Sequence, residues 1–134
     1  MNPNSLSSDR CLFCDRIQTG ALAAENELAA AFPDGFPVSP GHTLIVPKRH
    51  ETDFFALTNE ERDAIMTLAT RQQQELAEST EATAFNIGVN AGSDAGQTIG
   101  HAHLHLIPRF SGDIEDPRGG VRWVIPHKAP YWTD

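Results

Sequence analysis

The chain has 134 residues, enough for one domain and too few for two independent cores. Ten Lys and Arg against 18 Asp and Glu leave a formal charge of −8, so no basic field is available to hold a nucleic-acid polymer. The apolar share of 40% supports a packed core, and no run approaches the roughly 20 consecutive apolar residues of a membrane span.

Residues 1–10 read as a loose polar arm without the apolar stretch of a signal peptide, and the expected compartment is the cytoplasm. Cys11 and Cys14, the only cysteines, form a C-x-x-C pair. Two cysteines are too few for a disulfide scaffold, which leaves metal binding, redox chemistry or simple burial. Leu12, Phe13 and Ile17 predict a short helix that ends at Gly20.

Glu27–Phe32 is brief, stops at Pro33-Asp34-Gly35, and predicts a strand. After Pro40-Gly41, the β-branched run from His42 to Val46 predicts a buried strand. Thr58 and Glu61 have capping-box spacing, and Ala64, Ile65, Leu68, Ala69 and Leu76 recur near every 3.6 residues. A helix ending near Ser79 follows. Thr83–Val89 and His101–Pro108 predict two strands around the Gly-rich loop 90–100. After a turn-rich stretch, Val121–Ile125 predicts a last strand or extended arm. The class is α+β, with a mainly antiparallel sheet and one long helix.

The chemistry concentrates in His101-Ala102-His103-Leu104-His105-Leu106. On a strand the three imidazoles share one face at about 7 Å intervals, while Ala102, Leu104 and Leu106 face the other way. Such a row either binds a catalytic metal or works directly as nucleophile and acid/base. The loop before it carries Asn90, Gly92, Ser93, Gly96, Gln97 and Thr98, whose amides and hydroxyls suit an anion such as phosphate.

The segment from His101 to Ile107 resembles the H-x-H-x-H-x-x signature of the histidine triad (HIT) superfamily of nucleotide hydrolases and transferases. Cys11–Cys14, Pro40–Lys48 and Asn90–Thr98 agree with it in order and spacing. The resemblance runs from about residue 11 to residue 110, which defines the expected domain, with 111–134 as a tail. It implies a five-stranded antiparallel sheet with a long helix, a homodimer, and attack on the α-phosphate of a purine nucleotide conjugate without metal in the chemical step.

By the same resemblance His103 is the nucleophile and His105 meets the α-phosphate. A neutral imidazole attacks phosphorus when its other N–H is held by an acceptor, and a backbone carbonyl near His42 is the expected acceptor. Gln97 and Thr98 are expected to neutralise charge on the phosphate, with Thr98 also near the leaving group. Asn90 and Gly96 belong to the same nucleotide-binding loop, and Asp34 is placed on the ribose hydroxyls. Leu12, Phe13, Ile17, Phe32 and Leu44 are expected to form the slot for the base.

Similarity to the zinc-containing bacterial branch adds His50 and His101 to Cys11 and Cys14 as ligands of a structural Zn²⁺, which two thiolates and two neutral imidazoles would balance in charge. His127 is read as a surface residue. In the tail, Arg118, Arg122 and Trp123 are candidates for the far part of a substrate. Two alternatives stand beside this reading. One is a hydrolase with all three triad imidazoles on a catalytic zinc, and the other is a nucleotide-binding dimer without turnover.

Overall fold

The computed structural model describes residues 11–134, so the expected arm at residues 1–10 lies outside the described residues. Helix α1 spans Leu12–Thr19. Cys11 caps it by accepting the Cys14 N–H on its sulfur, and Gly20 ends it in the left-handed conformation, φ 76°. Strands β1 (Ala24–Glu25), β2 (Ala29–Pro33) and β3 (Thr43–Pro47) follow. Strand β2 starts two residues later than the sequence predicts. The Asn26 side-chain oxygen accepts the N–H groups of Leu28 and Ala29 and turns the chain there.

Helix α2 spans Asn59–Ser79, with the full capping box at Thr58 and Glu61 that the spacing predicts. Strands β4 (Ala84–Val89) and β5 (Leu104–Arg109) complete an antiparallel sheet of order β1-β2-β3-β5-β4. The register sets Leu44 and Gly88 on either side of His105.

The two sheet faces bury different cores. Ala29, Ala31, Ile45, Leu104 and Leu106 pack with Ile65 and Leu68 of α2 on one face. On the other, Ala30, Phe32, Leu44 and Val46 pack with Cys11 and Phe13. This period-2 split of β2 and β3 leaves both strands almost wholly buried. By contrast, β4 is half-exposed.

The predicted last strand at Val121–Ile125 does not form. Gly120–Val124 and Pro126–Lys128 are short 3₁₀ turns instead. Gly119 and Gly120 hold positive φ values of 96° and 46°, and a Cβ at Gly119 would stand 3.1 Å from the Trp123 Nε1. Only glycine permits that fold-back. Arg122 then locks it, donating to the Ala129 and Lys128 carbonyls beneath the Tyr131 ring.

Candidate active site

Strand β5 begins at Leu104, so only His105 of the three spaced histidines lies in a strand, while His101 and His103 stand in the segment leading into it. The predicted even row becomes a bent run of rings. His50 touches His101 at 5.1 Å between centroids, Phe13 lies against both His101 and His103, and His103 meets His105 at 5.0 Å. His105 in turn lies 5.2 Å from His42. Ala102, Leu104 and Leu106 point into the α2-side core, as the alternation predicts.

One end of this run gathers Cys11, Cys14, His50 and His101, whose ligand atoms all lie within 4.8 Å of one another. His101 Nδ1 is 3.3 Å from the Cys11 sulfur and 3.5 Å from that of Cys14, and His50 Nδ1 is 3.3 Å from Cys14. The His101 Nε2–H donates to the Pro47 carbonyl at 2.8 Å, which leaves the Nδ1 lone pair facing the sulfurs. Burial and the adjoining Cys11 push the Cys14 thiol up to about 12, so paired thiolates here call for a cation. The donor set and spacing fit a tetrahedral divalent metal.

The other end opens into a cavity of about 860 Å³ between α1, the β2–β3 turn and the loop 90–99. His103 Nδ1–H donates to the His101 carbonyl at 2.8 Å, which leaves the lone pair on Nε2. Here the expectation of an acceptor near His42 is corrected: the His42 carbonyl is taken by the Asp34 N–H at 3.0 Å within the sheet. The acceptor comes from two residues upstream because His101 is itself immobilised.

His42 enters through its ring. Its Nδ1 accepts the Val38 N–H at 3.1 Å, so Nε2 carries the proton, 3.0 Å from His105 Nδ1 and 3.3 Å from Asp34 Oδ2. His105, accepting on Nδ1, presents Nε2–H as a donor. Burial lowers the pKa of both His42 and His103, and lowers that of His105 to about 4, so all three rings are neutral at pH 7. Asp34, His42 and His105 could also crowd round an ion. The proton on His42 Nε2 opposes that use of the ring.

Of the other predicted residues, Asp34, Asn90, Gly96, Thr98, Leu12, Phe13, Phe32 and Leu44 all line the cavity. Ile17 instead packs at the margin of the core beneath α1. Gln97 is also corrected. Its amide NH₂ donates to the Thr52 and Ile99 carbonyls while its oxygen accepts the Gly92 N–H, so it shapes the loop and has no donor left for a phosphate. Arg118 is bound to Asp116 and Asp134, and Arg122 to the tail backbone. His127 is exposed.

Arg16 and Val38 escaped the sequence reading. Arg16 lies over the Phe32 ring, 4.8 Å from its centroid, at the cavity wall. Its position three residues after Phe13, on the same helix face, was the available signal. The role of Val38 is a backbone N–H, which a side-chain pattern does not carry.

These geometries define a histidine-lined cleft beside a cluster of metal-ligand type, and the sequence comparison places them in a class. Residues 17–112 match the HIT domain, and the chain belongs to the HIT family. An uncharacterized HIT-like protein of Mycoplasma genitalium is 40% identical over 113 residues, which is 82% of this chain and 79% of the relative. The asymmetrical bis(5′-nucleosyl)-tetraphosphatase of Schizosaccharomyces pombe is 39% identical over 90 residues, 67% of this chain and 50% of that enzyme. Among solved structures, a zinc-bound histidine triad family protein from Mycobacterium smegmatis superposes with a TM-score of 0.74 at 32% identity, covering 80% of each chain. This chain is thus a member of a family of enzymes.

Proposed function

We propose that this protein is a nucleotide hydrolase or nucleotidyl transferase that acts at the α-phosphate of a purine nucleotide conjugate, through a nucleotide bonded to His103. The observation that carries this reading is the His103 Nδ1–H held by the His101 carbonyl, with the ring at the wall of a nucleotide-sized cavity. The tetraphosphatase similarity points to a dinucleoside polyphosphate as one conjugate class.

In the first step the His103 Nε2 lone pair attacks phosphorus, and the bond to the leaving oxygen or nitrogen breaks with its electron pair. The leaving atom takes its proton from solvent, relayed through the Thr98 hydroxyl at the cavity wall. The His105 Nε2–H steadies negative charge on the phosphoryl oxygens, and Asp34 accepts from the ribose hydroxyls. Water then attacks phosphorus and releases a proton to solvent through the same hydroxyl, the N–P bond breaks with its pair returning to Nε2, and the mononucleotide leaves.

Cys11, Cys14, His50 and His101 would hold a structural Zn²⁺, neutralising the thiolates and fixing the His101 carbonyl on which His103 depends. The catalytic-zinc alternative has no support in the geometry: among the described residues the three triad rings do not converge on one point, and His101 faces the cysteines. A homodimer would cover the β4 edge, where Ile87 is exposed beside Met66 of α2. No helix among the described residues is long and apolar enough to cross a membrane.

The deciding experiment is a substrate panel containing adenosine phosphoramidate and diadenosine tetraphosphate, with products identified and with inorganic phosphate offered as a second acceptor. Release of a mononucleotide by the wild type and its loss in His103→Ala support the reading. Full activity of His103→Ala removes it, and binding without turnover by the wild type favours the non-catalytic dimer.

A further inference from the structure

Helix α1 lines the large cavity with Leu12 and Phe13 and, three residues further on, with Asp15 and Arg16. Spacings of three and four residues put them on one side of the helix. The first pair is apolar, as a slot for a flat ring requires, and the second is an anion beside a cation. Neither charge is neutralised by a partner side chain among the described residues, whereas Arg49, Arg109 and Arg118 are all paired with carboxylates.

The Arg16 fork is nonetheless held still. Its guanidinium lies over the Phe32 ring, 4.8 Å from the centroid, and its Nε–H donates to the Ala21 carbonyl at 3.2 Å. The Nη nitrogens make no hydrogen bond among the described residues. A planar fork fixed at its stem, with its outer donors open, suits two neighbouring acceptors. Those acceptors are not on the reacting phosphate. Arg16 reaches His103 by way of Phe32 and then Phe13, whose rings are 5.3 Å apart, with a further 5.1 Å from Phe13 to His103. Asp34 acts on the pKa of His42, His103 and His105, and Arg16 is not among the charges that do. A nucleotide with its phosphate at His103 and its base against Phe13 and Phe32 therefore turns the edge of that base toward Arg16 and Asp15.

The purines differ at that edge. Guanine offers O6 and N7 as adjacent acceptors, with N–H donors at N1 and N2 further round, whereas adenine sets an N6 amino donor beside its N7. A guanidinium is bidentate to O6 and N7, and a carboxylate accepts from N1–H and N2–H. Against adenine the fork meets an amino group and the carboxylate meets a lone pair.

We propose that Arg16 and Asp15 read the base, so that guanine nucleotide conjugates are preferred over adenine ones. The inference rests on the reaction proposed above and adds the identity of the base, which neither the histidines nor the apolar slot decides.

The test is calorimetric binding of GMP, IMP and AMP to the full-length protein, alongside kcat/KM for guanosine and adenosine phosphoramidate. GMP binds about tenfold or more tightly than AMP, the discrimination of one bidentate pair, and IMP, which lacks only the 2-amino group, falls between them. The phosphoramidates follow the same order, with the difference in KM. 7-Deaza-GMP probes the fork with the protein unaltered, and binds roughly fivefold more weakly than GMP for one lost hydrogen bond. Arg16→Ala brings GMP down to the affinity of AMP, and Arg16→Lys does not restore it, because an ammonium keeps the charge without the fork. Asp15→Ala removes the advantage of GMP over IMP. Equal affinities of the wild type for GMP and AMP overturn the proposal, as does equal binding of GMP and 7-deaza-GMP. It also falls if Arg16→Ala weakens GMP and AMP alike and Arg16→Lys restores both, the mark of a charge for phosphate. A GMP preference without turnover of either phosphoramidate counts against the reaction alone, and turnover of both at equal kcat/KM counts against the base assignment alone.

Discussion

His101 and His105 stand four residues apart and share one residue type, yet His101 is fully buried while His105 keeps about a fifth of its side chain open. The difference lies in what meets the Nδ1 of each ring. His101 faces two sulfurs and gives its Nε2–H to a backbone carbonyl, which is the wiring of a metal ligand. His105 faces the protonated Nε2 of His42, which is the wiring of a neutral donor poised at a cleft. His103 lies between the two, in contact with both ends through the His101 carbonyl and the His105 ring. One end holds the run still, and the other exposes it to a ligand.

The sharpest way to break this contrast is to remove one ring at a time. His103→Ala should lower turnover by on the order of 10⁴-fold or more, as loss of a nucleophile does, with little change in melting temperature. Cys14→Ser should do the reverse in its first effect. Elemental analysis should show zinc lost from the protein, and thermal unfolding should show a drop in stability of several kcal/mol, on the order expected for a structural metal. A Cys14→Ser protein that keeps both its zinc and its melting temperature contradicts the assignment of that end.

Asp34 belongs to the open end, where its Oδ1 holds the Phe36 N–H and Oδ2 faces His42. Asp34→Ala should raise KM about tenfold, the cost of an unmade hydrogen bond to a sugar hydroxyl. Steady-state kinetics on adenosine phosphoramidate would read it. Because Asp34 also lies beside His42, a purely kcat effect would assign it to the imidazole pair instead.

Acid should separate the ends further. Burial, His103 and His42 hold the pKa of His105 at about 4, against 6.5 for a free histidine, while Asp34 acts in the opposite direction. Between those values the folded protein binds fewer protons than the unfolded chain, so stability contributed by neutral His105 is present above pH 6.5 and is lost as pH falls toward 4. Turnover should be lower at pH 4.5 than at pH 7, because His105 gains its proton as pH falls toward 4. Denaturant titrations at pH 7 and pH 4.5 would check the stability half. The smallest effect expected is at the α2 cap: Thr58→Ala should cost about 1 kcal/mol in the same titration and leave kinetics alone.

Much of this architecture was legible beforehand, because hydrophobic period and capping are local. Helix α2 and its box at Thr58 and Glu61 follow from spacing, as does the inward set Ala102, Leu104 and Leu106. The resemblance brought Cys11, Cys14, His50 and His101 to one point across up to 90 positions, which no spacing rule would do. What stayed hidden was the partner of each polar atom. The Gln97 amide is spent on the Thr52 carbonyl, a residue 45 positions away, so an amide expected to face a phosphate is instead a brace for the loop.

The conformation of the tail has the same origin. Val121–Ile125 has the composition of a strand, but its conformation is decided by Gly119 and Gly120 before it and by Arg122 reaching forward to the Ala129 carbonyl. Likewise Arg49, paired through two nitrogens with Glu61, ties the end of β3 to the start of α2, and burial does not prevent that pairing from holding the Glu61 carboxyl down near 2. Ion pairs of this kind, separated by 12 positions, become visible only once the chain has folded.

The most direct measurement is to mix excess protein with radiolabelled adenosine phosphoramidate, quench in alkali to preserve a phosphorus–nitrogen bond, and map the label by peptide mass spectrometry. An adenylyl group on His103 is expected at times before product accumulates. Product formed at full rate with no labelled peptide, or with the label on a different side chain, would contradict it.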